Sequence, residues 1–410
     1  MKWRALGDPR SRRSGVVPFT VAAFVSTVLI STTISSAAAP GAPRAAASQR
    51  RSTTQRLAKT QQPTRAQRLT EGPRAFRDDG FGSIRGVTLG PIESELQPGR
   101  GYGSEPFAET LDEVRAMGGS WISLTVFGRV WDLRSEGIDL SFEAPFGETR
   151  DNVRRSVEMA HARGLRVFLV PHLWVESRQW RAELDPGSDE AWARWAKSYR
   201  HFVGTWAEVA QESGVDLFAC GVELRSWVTT QRAASFLPVI RDVRAKYSGP
   251  ITYAANWDDV DDTAILAELD VIGINAFYPL HWENDATTEQ LRAGGERVAV
   301  QVKDLIRRYD KPVVFTEFGY TARKDTAIRP WLWPEELGEV KLDQAAQAEA
   351  YAALLAGMSD VPGFAGEFVW RMYADVADLS QEPDWGFSPW GKSSERVLRD
   401  AFRAIQAEDP

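Results

Sequence analysis

Arg154-Arg155-Ser156-Val157-Glu158-Met159-Ala160-His161-Ala162-Arg163-Gly164, followed directly by Leu165-Arg166-Val167-Phe168-Leu169-Val170-Pro171-His172, decides the fold. The first half mixes apolar and charged residues as the face of an amphipathic helix does. Gly164 stands where a left-handed C-cap would end it. The second half is a β-branched and aromatic run that reads as a strand. A helix handing over to a strand across one glycine is the unit of an α/β protein.

The unit recurs outward in both directions. Strands are expected at 85–89, 120–126, 166–171, 216–222, 250–255, 270–275, 312–317 and 363–369. Helices are expected near 106–117, 148–163, 189–213, 231–246, 261–268, 289–309 and 343–358, with a last one near 393–406. Parallel strands joined by helices need both faces covered, and eight such units close into a (β/α)8 TIM barrel. The rival, a doubly wound open sheet, is disfavoured because no glycine-rich phosphate loop follows the first strand. No internal repeat is visible beyond the β/α alternation.

Upstream of residue 80 the pattern stops. Lys2, Arg4, Arg10, Arg12 and Arg13 form a basic lead, Val16–Ile30 is an apolar run, and Ser35-Ser36-Ala37-Ala38-Ala39 offers small cleavage-type residues. Residues 1–39 therefore read as a signal peptide or N-terminal anchor. The run is shorter than the roughly 20 residues that span a bilayer. Arg12-Arg13 is followed by Ser14-Gly15-Val16, a poor twin-arginine match, and no cysteine follows for lipidation. Residues 40–79, rich in Ala, Arg, Gln, Thr and Pro, read as a disordered linker. The expected division is leader, linker, and a barrel over 80–410. A secreted or cell-envelope location follows, with membrane attachment through the N-terminal segment alone.

Charge narrows the partners. Residues 1–79 hold 14 Lys and Arg against 4 Asp and Glu, so the remainder of this −7 chain carries −17. An acidic surface is unsuited to neutralising phosphates, which argues against nucleic acid. One cysteine, Cys220, excludes an intrachain disulfide and reads as inert core. The four histidines (His161, His172, His201, His281) show no zinc-type spacing, so neither metal nor cofactor is expected. The 16 tryptophans divide between core and flat platforms for sugar rings. A monomer is expected.

A barrel places its chemistry at the C-terminal ends of its strands. There stand His172, Glu223, Asn256 with Trp257, Phe277 with Tyr278, Glu317 and Trp370. Carboxylates, amides and aromatic rings on one rim suit a carbohydrate. Glycosidic cleavage needs one carboxyl group to protonate the leaving oxygen and a second to attack the anomeric carbon or activate water. Glutamates on strands four and seven can approach the roughly 5–5.5 Å of a retaining pair. Glu317 is thus the expected nucleophile and Glu223 the acid/base, with the pKa of the acid raised. The plainer reading of Glu223 is a strand-end carboxylate paired with Arg225. His172 and Asn256 are candidates to bind sugar hydroxyls, His172 otherwise capping its strand. Tyr278 is placed to hydrogen-bond the nucleophile, and Trp370 to floor the sugar site. Trp174, Trp282 and Trp331 lie in long loops as binding surfaces or simple packing. Glu367 reads as part of a buried polar network, and Glu93 and Glu95 as rim residues.

The motifs resemble glycoside hydrolase family 113 from about Arg85 to Phe402. The likeness runs through Arg85-Gly86-Val87, Ala160-His161-Ala162-Arg163-Gly164-Leu165, Pro171-His172, Trp180-Arg181 and Gly221-Val222-Glu223-Leu224. It continues in Ala255-Asn256-Trp257-Asp258, Gly273-Ile274-Asn275-Ala276-Phe277-Tyr278-Pro279-Leu280 and Phe315-Thr316-Glu317-Phe318-Gly319-Tyr320, and closes with Gly386-Phe387-Ser388-Pro389-Trp390-Gly391-Lys392. The resemblance implies a β-mannanase of the retaining-barrel clan, with acid/base Glu223 and nucleophile Glu317. Two departures stand out. Val222 occupies the position before the acid/base where the clan commonly has an Asn contacting the 2-hydroxyl, so that bond must come from elsewhere, such as Asn256. Phe127-Gly128-Arg129-Val130-Trp131 is also unlike the mannanases. The expected activity is cleavage of a β-linked polysaccharide, β-1,4-mannan first. The alternatives are another β-glycan, such as a glucan or exopolysaccharide, and a carbohydrate-binding barrel without turnover.

Overall fold

The structure, a computed structural model, describes residues 84–91, 98–142, 144–332 and 337–408. The leader at 1–39, the linker at 40–79, and Glu93 and Glu95 lie outside the described residues.

Eight strands close into one parallel barrel in sequence order: β1 (Ile84–Gly90), β2 (Trp121–Val130), β3 (Arg166–Val175), β4 (Leu217–Val222), β5 (Ile251–Asn256), β6 (Ile272–Asn275), β7 (Val313–Phe318) and β8 (Phe364–Tyr373). The (β/α)8 barrel expected from the alternation is the observed fold. Ile84 pairs with Gly366 where β8 meets β1 and shuts the ring. A Cβ at Gly366 would lie 2.2 Å from the Ile84 carbonyl oxygen, and φ there is +114°, so the closure requires glycine.

The longer helices among the described residues are α1 (Glu105–Ala116), α2 (Phe146–Ala162), α3 (Asp189–Ser213), α4 (Leu237–Lys246), α5 (Thr288–Tyr309), α6 (Gln344–Met358) and α7 (Ser393–Glu408), and a single helical turn, Arg225–Val228, follows Leu224. The Ser188 side chain accepts the Ala191 N–H to start α3, and Gly214 at φ +74° ends it. Along its inner face Trp192, Trp195, Tyr199, Phe202 and Trp206 are buried. Each large ring contributes on the order of 2–3 kcal/mol by leaving water. Apolar residues inside the ring, among them Trp121, Phe168, Leu217, Val314 and Phe368, form a second cluster. The barrel is filled rather than hollow.

Two helical expectations change. Residues 261–268 are not a helix but two 3-10 turns, Val260–Asp262 and Leu266–Glu268. Asp259 accepts the Asn256 N–H and the Thr263 hydroxyl donates to the Asp259 carbonyl, so local side-chain bonds compete with the helical ladder. The segment at 231–246 divides at Pro238, with a 3-10 turn Ala233–Phe236 before α4. Strands β2 and β3 outrun their expected ends together, paired residue for residue to Val130 and Val175. They carry Phe127, His172 and Trp174 out above the barrel mouth.

Candidate active site

Glu223 follows β4 with a backbone that few residues adopt. Its φ is +49°, the left-handed region that disfavours a side chain by roughly 1–2 kcal/mol. The register of β4 on β5 shifts between Ala219 and Val222. A Cβ at Gly221 would stand 2.9 Å from the Tyr253 ring, so glycine is needed in the shifted segment. The turn is held by Glu223 N–H donating to the Ala254 carbonyl (2.9 Å) and Leu224 N–H donating to the Tyr253 hydroxyl (2.6 Å). Strain kept by flanking bonds is a common mark of a functional residue.

The Glu223 carboxylate is fully engaged. Its Oε2 accepts from Arg181 Nη1 (2.5 Å) and from the Trp180 indole N–H (3.1 Å), and its Oε1 accepts from Asn275 Nδ2 (2.9 Å). Arg225 is not its partner. That guanidinium binds Asp258 and Asp259 instead, with Asp259 Oδ2 2.8 Å from Nε. Glu223 is therefore held by a loop that returns after β3, not by its sequence neighbour.

Glu317 lies within β7, paired across to Asn275 at the end of β6. The Thr316 hydroxyl donates to Asn275 Oδ1 (2.9 Å) and fixes the amide so that its N–H reaches Glu223. His172 Nε2 is 3.9 Å from Glu317 Oε1. Burial and the charge of Arg181 push the His172 pKa well below its usual value, so the ring is neutral. Burial also raises the Glu317 pKa well above the ordinary carboxylate range, and the Glu223 charge adds to it. Arg181, Arg371 and the Asn275 amide oppose the rise. The sequence predicts such a rise on Glu223, whose carboxylate is here ion-paired with Arg181.

Aromatic rings flank the carboxylates on two sides. On the β2–β3 side Trp174, 43% exposed, meets Phe127 at 5.9 Å and Phe142 at 5.6 Å. On the β5–β7 side Trp257 stacks on Trp331 with centroids 5.4 Å apart and planes at 29°, and Tyr278 packs against Trp257. Trp370 lies between, nearly buried beside Phe277 and Phe387. Among the described residues the exposed tryptophans are Trp131, Trp174, Trp180, Trp282 and Trp331, and every one follows or ends a barrel strand on the catalytic face. Trp282 stands outermost, its ring 4.8 Å from the Arg297 guanidinium carbon.

The remaining candidates differ in placement. The Asn256 amide donates to Asp258 Oδ1 (2.7 Å), and among the described residues the side-chain amide that reaches Glu223 is that of Asn275. Tyr278 is buried, and its contacts are with Trp257 and Phe315, while its carbonyl accepts from Tyr320. No bond from its hydroxyl to Glu317 occurs among the described residues. Cys220 is buried in β4, its thiol pushed up to about 12 by burial, as befits an unreactive core residue. Sequence reasoning missed Trp180, Arg181 and Asn275 as site residues. Asn275 ends a strand and obeys the rule that found Glu223, whereas Trp180 and Arg181 carry no spacing signal. Among the described residues no three His, Cys, Asp or Glu side chains gather as a metal site, and no helix is long and apolar enough to cross a membrane.

A closed barrel whose mouth joins two buried glutamates through one amide, with aromatic walls on both sides, defines a glycoside hydrolase. The sequence profile of Glycoside Hydrolase Family 113 matches residues 96–392, and the chain belongs to that family. Among solved structures, a GH113 beta-mannanase from Alicyclobacillus acidocaldarius is 24% identical with a TM-score of 0.67, covering 79% of this chain and 98% of its own. A GH113 beta-1,4-mannanase is 22% identical with the same TM-score, covering 78% and 99%. A Glycoside Hydrolase Family 5 mannosidase from Rhizomucor miehei is 11% identical with a TM-score of 0.58, covering 82% and 99%. At these identities the likeness concerns the fold. A search of curated proteins finds no match.

Proposed function

We propose that this glycoside hydrolase cleaves a β-linked polysaccharide, β-1,4-mannan first, with retention of anomeric configuration. The observation that carries the reading is the Asn275 amide, which donates to Glu223 and stands in register with Glu317, whose charge it favours. Glu317 attacks the anomeric carbon as the glycosidic C–O bond breaks, and Glu223 gives its proton to the departing oxygen. A glycosyl ester on Glu317 results. Glu223, now a base, then takes a proton from the water that displaces it. Burial favours the protonated form of Glu317, so attack requires that this group be ionised when the substrate is bound. The names of the two family 113 structures support mannan as the glycan, and the basic lead and apolar run before the linker support export.

The test is product analysis by NMR on a panel of soluble β-glycans. Retention requires that the β-anomer of the new reducing end appear first and then mutarotate. Initial α-anomer would exclude double displacement, and cleavage of a glucan in preference to mannan would correct the substrate.

A further inference from the structure

The Trp180 indole is tied by its edge to the catalytic acid and lies with one face over a cation. Its N–H donates to Glu223 Oε2, the ring is 37% exposed, and the Arg225 guanidinium carbon sits 4.7 Å from its centroid. Arg225 is itself clamped by Asp258 and by Asp259, the latter nearly buried. Asp259 is fixed by the Asn256 N–H (3.1 Å), and Asp258 by the Asn256 amide. The loop after β5 thus reaches across to set the plane of a ring that belongs to the loop after β3.

The oxygen that receives a proton from Glu223 must come within roughly 2.6–3.2 Å of that carboxyl group. The sugar carrying this oxygen therefore rests beside Glu223, and the flat surface touching Glu223 there is Trp180. We propose that Trp180 is the floor of the subsite for the leaving-group sugar, and that Arg225, held by Asp258 and Asp259, is the positioning residue that orients it. The proposal rests on the glycosidase reading above. It assigns a task to the charged cluster beside the acid, which the reaction itself does not need. A ring on a loop, held only by one N–H, could swivel. A guanidinium pinned at both ends beneath it prevents that, and small misplacements at a reacting centre are costly.

The experiment compares two substrates, the β-glycan that the wild type cleaves fastest and a 2,4-dinitrophenyl glycoside of the same sugar. Dinitrophenolate departs without protonation and offers no leaving-group sugar. Trp180→Ala is expected to lower kcat/KM on the glycan about 30- to 100-fold, at least tenfold more than on the aryl glycoside. Arg225→Met should show the same bias at about tenfold, falling on KM as well as kcat, and Arg225→Lys should recover most of it. Thermal melting checks that each variant is folded. Equal losses on both substrates, or a glycan rate untouched by Trp180→Ala, would overturn the subsite while leaving the glycosidase reading intact. A wild type inert to both substrates would overturn that reading and the subsite with it.

Discussion

Glu317 combines two conflicting demands in one side chain. In the proposed role of nucleophile it must be ionised, yet burial and the neighbouring Glu223 charge favour its protonated form. A carboxyl group raised in this way holds its proton in the folded state while the unfolded chain has released it. Its contribution to stability is therefore lost as pH rises above the ordinary Glu range. Glu317→Gln should abolish about 10³–10⁵ of kcat, read as new reducing ends, and at pH 8 should unfold at a higher temperature than the wild type. A lower melting temperature would show that the site is not strained by this charge. The opposing cations give a second expectation. Arg371 favours the Glu317 anion, so Arg371→Met should move the acidic limb of kcat/KM to higher pH. A limb that stays put or moves downward would remove Arg371 from the electrostatics of the pair. The two glutamates and His172 were legible because strand ends are legible. Arg181 was not, because it acts where a loop folds back, and nothing in a loop sequence states its destination.

Irregularities in regular elements decide what the site can hold. The register of β6 on β7 shifts between Ile274 and Asn275, which brings Asn275 level with Glu317. The Thr316 hydroxyl then leaves the amide one free direction, toward Glu223. Asn275→Ala is expected to cost about 10- to 100-fold in kcat, because Glu223 loses a tether, and about 1–3 kcal/mol of stability, because the Thr316 hydroxyl is left unpaired in a buried site. Urea unfolding beside steady-state kinetics would measure both; full activity would show that Glu223 does not depend on this tether. The existence and order of the strands could be read from their β-branched runs. The register shifts could not, since a bulge depends on which residues the neighbouring strand presents. The expected helix at 261–268 failed for a related reason. Its aspartates satisfy nearby backbone groups, and apolar spacing does not reveal that competition.

Across the barrel the charged residues sort by end. The C-terminal mouth gathers the carboxylates, arginines and exposed tryptophans, whereas the opposite end carries Arg85 and Glu367, paired in register where β1 meets β8. Residues at that end of a barrel serve stability rather than chemistry. The closure itself was legible, since eight strand–helix units leave few other solutions. The buried acid inside β8 was legible only as a polar residue in an apolar run, and the structure adds its consequence. Among the described residues Glu367 Oε1 has no hydrogen-bond partner, and burial pushes the group up to about 8 against the opposing charge of Arg85. In the unfolded chain the same carboxyl group ionises near 4.5. The folded state therefore binds one more proton than the unfolded state between those values, and stability falls as pH rises through that window. The full fall is on the order of 5 kcal/mol. Glu367→Gln carries no proton to lose, so wild type and variant should unfold at similar urea concentrations at pH 5 and diverge by pH 8.5, with the variant the more stable. Glu317 contributes the same slope to both proteins and cancels in the difference. Parallel unfolding midpoints across that range would mean that Arg85 holds Glu367 as an anion in the folded barrel.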